Sequence, residues 1–75
     1  MTYKEKIQEA VAAKYSPLSA VYTTLSDLTT IVRQKFPEVS EEQFKIAMAD
    51  MEGWSPATIS KENKIELTPL FFKHN

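Results

Sequence analysis

Apolar residues recur along the first fifteen positions at the spacing of one helix face. They are Tyr3, Ile7, Ala10, Val11 and Tyr15, with Lys4, Glu5, Lys6, Gln8 and Glu9 between them. This predicts a helix over about residues 3–15, stopped by Pro17, because the residue before a proline avoids the helical region. Leu25, Leu28, Ile31, Val32 and Phe36 repeat the pattern and predict a second helix over about 25–36, closed by Pro37. Phe44, Ala47, Met48 and Met51 give a third over about 41–52. Beyond Trp54 the period changes. Ser55-Pro56 reads as a break. Ile59, Ile65 and Leu67 then alternate with polar residues, which predicts a β-hairpin over about 57–68 with its turn at Lys61-Glu62-Asn63. Pro69 ends the hairpin, and Leu70-Phe71-Phe72 open an apolar tail over 69–75.

One stretch supports two patterns. Ala20 to Thr24 are mostly strand formers and predict a short strand at about 20–23. Tyr22, Leu25, Leu28 and Val32 also share a helical stripe, which would extend the second helix back to Leu18.

The ends of the helices are written in capping residues. Thr2 with Glu5, and Ser40 with Gln43, have the spacing of capping boxes, in which each side chain takes up an orphan backbone N–H. Thr24 with Asp27 is a shorter version of the same device. Val39 before the third cap and Phe44 inside the helix can form a hydrophobic staple. Glu41 and Glu42 sit where the helix dipole favours negative charge. Gly53 is placed to act as the left-handed residue after the third helix, with Trp54 folding back on its last turn.

The order is helix, strand, helix, short turn, helix, hairpin. The fold class is α+β, mainly α, in a single domain over residues 1–75. The pattern resembles the winged-helix superfamily. The residues that carry it are T-T-L-S-D-L-T-T-I-V-R-Q-K-F-P, then V-S-E-E-Q-F-K-I-A-M-A-D-M-E, then T-I-S-K-E-N-K-I-E-L. It covers nearly the whole chain up to Thr68. The resemblance implies one of two uses. Many such domains lay the third helix in the major groove of DNA and set basic wing residues on the backbone; others bind proteins through the same faces. Fold alone does not choose between them.

Composition narrows the choice. The chain has 75 residues, 43% hydrophobic and 25% charged, which fits one globular domain. There is no cysteine, so no disulfide framework and no thiolate metal site; this suits a cytoplasmic location. No apolar run reaches the roughly 18 residues of a membrane span. The formal net charge is −1, whereas DNA-binding domains are usually basic. The sole histidine, His74, is next to last, and the sole glycine stops a helix, so neither a catalytic base nor a phosphate-cradling loop is indicated. We expect no enzyme activity, no cofactor and no metal.

Two surfaces remain. The outward face of the third helix carries Glu42, Ile46, Ala49 and Asp50, a small apolar strip rimmed by charge, as protein-binding faces often are. Leu70, Phe71 and Phe72 either pack on the first helix or add a contact to a partner or a second copy. The expected function is therefore a protein-interaction module, with a homodimer as one form of it. A DNA-binding regulator is the alternative, with Arg33, Lys35, Lys45, Lys61 and Lys64 on the phosphates. Against it, the third helix sets Glu41, Glu42, Asp50 and Glu52 beside a single Lys45, and this field repels a polyanion.

Overall fold

A computed structural model describes residues 1–15, 20–59 and 62–72, with the backbone alone at 58, 59, 62 and 63. The described elements run α1 (Tyr3–Lys14), β1 (Val21–Thr23), α2 (Leu25–Lys35), α3 (Glu41–Asp50), β2 (Trp54–Ile59), β3 (Glu62–Leu67) and a closing 3-10 turn, Pro69–Phe72. This is the α+β, mainly helical arrangement that the periodicities indicate. Of the two patterns at residue 22, the strand prevails. Thr24 adopts an extended backbone and caps α2, its hydroxyl accepting from the Asp27 N–H at 3.0 Å. A helix running through this cap would forfeit that bond and the pairing of Val21, Tyr22 and Thr23 with Leu67, Glu66 and Ile65.

The sheet is antiparallel, in the order β1-β3-β2. The hairpin is longer than the sequence pattern indicated, and two expectations are corrected. Ser55 and Pro56 do not break the chain but pair with Glu66 and Ile65 inside β2. A proline is tolerated there because β2 is an edge strand, so only one of its sides supplies ladder bonds. Of the expected turn Lys61-Glu62-Asn63, the last two residues are not turn residues. Glu62 and Asn63 already belong to β3, opposite Ile59 and Thr58, and Lys61 lies outside the described residues.

The core lies between the helices and the inner face of the sheet. Ile7, Ala10 and Val11 come from α1, Leu28 and Val32 from α2, and Phe44, Ala47 and Met48 from α3. Ile65 and Leu67 close it from β3, and Phe71 from the final turn. Val39 and Phe44 are both buried at the start of α3, as a hydrophobic staple requires. The stripes overshoot at their ends. Tyr3 and Leu25, each the first residue of its helix, are 40% and 42% exposed.

The exit from α3 also departs from expectation. The helix ends at Asp50, with Met51 extended as its cap, so Gly53 is not the residue that terminates it. Gly53 does have a positive φ of 89°. It stands at the entry to β2, and its carbonyl accepts from the Thr68 N–H at 2.8 Å and the Thr68 hydroxyl at 3.0 Å. Trp54 does fold back: its indole N–H donates at 2.9 Å to the Met48 carbonyl, which also accepts from the Met51 N–H at 3.1 Å.

Candidate protein-interaction surface

The geometry of α3 is set at its first turn. The Ser40 hydroxyl accepts from the Gln43 N–H, and the Gln43 side chain accepts from the Ser40 N–H, both at 3.1 Å. With Phe44, Ala47 and Met48 turned inward, the opposite side of the helix must face solvent. Glu42, Ile46, Ala49 and Asp50 are all exposed, and Ile46 is 65% exposed, which leaves a large apolar side chain standing in water.

The structure adds to this face residues that the helical wheel of α3 could not supply. Gln43 uses its amide twice, and its Nε2 donates to the Tyr3 hydroxyl of α1 at 2.6 Å. Lys4 of α1 forms an ion pair with Asp50. These two contacts flank Ile46, one turn before and one turn after it along α3. The exposed face is therefore a seam of two helices, with the half-exposed ring of Tyr3 beside the strip. Nothing in local spacing brings residues 3 and 43 together; only the packing of α1 against α3 does.

The tail resolves into three different environments. Phe71 is 0% exposed, so its proposed place on a binding surface is corrected: the side chain completes the core under α1. Its carbonyl accepts from Gln8 Nε2 at 3.0 Å, which ties the last turn to the first helix. Phe72 is half-buried and meets Phe71 edge to face, with ring centroids 5.3 Å apart. Leu70 alone points outward, at 47% exposure.

The basic residues are scattered. Arg33, Lys35 and Lys45 are exposed on two different helices, Lys64 is half-buried on β3, and Lys61 lies outside the described residues. Several cations are committed to carboxylates. Besides Lys4 with Asp50, Arg33 stands 4.0 Å from Glu41, and Lys6 stands 3.0 Å from Glu38. The Lys6 ammonium also lies 5.5 Å from the centre of the Tyr3 ring and 5.9 Å from that of Phe36.

A hydrogen bond from its own backbone, then the Lys6 ammonium, holds the Glu38 carboxyl below its ordinary value of 4.5. The folded-state value is the lower one. The stabilisation is therefore complete above the ordinary value and is lost as pH falls through the lowered one. Glu38→Gln should reduce the urea midpoint at neutral pH, and the deficit should close as the solution is acidified below 4.5. A deficit that persisted in acid would assign the effect to packing and not to the carboxylate charge.

A groove of about 550 Å³ lies between the start of α2 and the hairpin, lined by Thr24, Leu25, Ser26, Trp54, Pro56, Ala57, Lys64 and Ile65. Among the described residues, Lys64 is the only ionisable one in its wall, and no acid–base pair converges there. Among the described residues, no group of His, Asp and Glu is arranged to hold a metal ion, and no helix is long and apolar enough to cross a membrane. Compared with known protein families, with curated proteins and with solved structures, the chain finds no match in any of the three.

Proposed function

We propose that this chain is a non-enzymatic winged-helix domain of the cytoplasm that works as a protein-interaction module, docking through the outward side of α3 and its seam with α1. The observation that carries the reading is the combination of a solvated Ile46 with the direction of the surrounding charges. The element order, with β1 between the first two helices and paired to the hairpin, supports the winged-helix assignment. In such a domain α3 is the helix available to a partner. On it Glu41, Glu42 and Asp50 accompany Lys45, and Glu52 follows just beyond its end. Lys4 of α1 and Arg33 of α2 pair with Asp50 and Glu41 on it. Direct base readout draws on Arg, Lys, Asn and Gln, and phosphate contact draws on free cations. An isoleucine amid carboxylates supplies neither, but it does supply the apolar centre and polar rim of a protein contact.

The deciding experiment is the anisotropy of labelled random duplex DNA titrated with the protein from low to physiological salt. The expected result is no binding in the range of roughly 10⁻⁴ to 10⁻⁶ M at physiological salt, where non-specific DNA binders operate. Binding in that range, steepening as salt falls and weakened by Lys35→Ala with Lys45→Ala, would replace this reading with the DNA-binding one.

A further inference from the structure

Resting on that reading, we infer that the partner seated on α3 is a cationic, amphipathic segment of a different protein, and not a second copy of this chain. The first reason is what a two-fold contact would require. Symmetric docking centred on Ile46 brings residue against residue in reverse order along two antiparallel helices. Glu42 would then face Asp50 of the second copy, and Asp50 would face Glu42, so each end of the contact would crowd two carboxylates around the single Lys4 ammonium that already pairs with Asp50. Opposed like charges are a device against pairing.

The second reason is area. A standard stable interface buries roughly 800 Å² on each partner. Ile46 and Ala49 offer one large and one small apolar side chain, with the edge of Tyr3 beside them. A strip of that size does not hold a homodimer by apolar burial. It can orient a partner that is also drawn in by charge. Glu42 and Glu52 have no ion-pair partner among the described residues, unlike Glu41 and Asp50. Glu42 stands one turn before Ile46 on the helix, and Glu52 lies two positions beyond the helix end, so the complementary segment presents an apolar side chain with a cation beside it. Such a contact is salt-sensitive and forms quickly, as charge-steered encounters do.

The probe is a fluorescein-labelled amphipathic peptide of leucine and lysine at helical spacing, with its leucine–glutamate counterpart as control. Sedimentation of the chain alone is measured over a wide concentration range. We expect a monomer at all concentrations, binding of the lysine peptide that weakens as salt rises, and no binding of the glutamate peptide. Glu42→Lys with Glu52→Lys should weaken lysine-peptide binding roughly tenfold, and the milder Glu42→Gln with Glu52→Gln several-fold. Ile46→Ser should weaken it at every salt concentration, because the apolar centre is lost and not the charge. Circular dichroism of each variant confirms that the helices persist.

Concentration-dependent dimerisation that is abolished by Ile46→Ser would overturn the inference while leaving α3 as a docking face. Peptide binding that is indifferent to every α3 substitution would overturn both the inference and the function proposed above. Failure to bind either peptide, with the chain monomeric, would also overturn the inference.

Discussion

Gly53→Ala should cost about 3 kcal/mol or more of a total that, at 0.05–0.15 kcal/mol per residue, is only roughly 4–11 kcal/mol for a domain of this size. Two effects add at this position. A left-handed backbone is unfavourable by about 1–2 kcal/mol for any residue with a Cβ. In addition, a Cβ built on Gly53 would lie 2.2 Å from the backbone nitrogen of Phe71, 2.7 Å from its Cα and 2.8 Å from the Leu70 carbonyl carbon. Those neighbours are main chain and cannot rotate aside. The final turn would have to move, and with it the two Thr68 bonds to the Gly53 carbonyl. For a chain of this length, a loss of that size lowers the thermal midpoint by roughly 12–24 °C. Thermal unfolding followed by circular dichroism measures it. A shift of only a few degrees would mean that the Pro69–Phe72 turn detaches at little cost and is not part of the cooperative unit.

Phe71→Ala should cost about 3–5 kcal/mol, the range for removing a fully buried aromatic ring, while its neighbour Leu70→Ala should stay within about 0.5 kcal/mol. The contrast follows from burial: Phe71 is 0% exposed among Ile7, Val11 and the other core residues, and Leu70 is 47% exposed. Urea denaturation of the pair provides the measurement. Equal costs at the two positions would place the last turn outside the core. Because Gly53 makes its closest approach to the backbone of Phe71, the double variant should lose less than the sum of the two single losses. Once the turn has been displaced by one substitution, the second has less left to disrupt.

Both predictions concern a junction that the sequence discloses only in part. Gly53 stands out as the sole glycine, and the position after a helix suggests a left-handed cap. Its actual constraint is different. Met51 already ends α3 in extended backbone, and Gly53 is held by the approach of a turn some eighteen positions further along the chain. Likewise Leu70, Phe71 and Phe72 are three similar apolar residues on paper. Which one enters the core depends on where α1 and Gln8 lie in space.

What the sequence determined by itself is local. The three helices follow from apolar residues at helical spacing and from caps at Thr2, Thr24 and Ser40, because helix bonds and capping bonds join residues only a few positions apart. The outward placement of Glu42, Ile46, Ala49 and Asp50 follows from the same periodicity once Phe44 and Met48 are assigned to the core. What only the tertiary structure decided is long-range. Residues 21–23 are a strand because β3 pairs with them across more than forty positions. Pro56 sits inside a strand because β2 happens to be an edge. The α3 face gains Tyr3 and Lys4, and Lys4, Lys6 and Arg33 pair with Asp50, Glu38 and Glu41, because helix packing sets those side chains together. Strand pairing, edge position and cross-helix ion pairs depend on which surfaces meet, and no spacing along the chain encodes that directly.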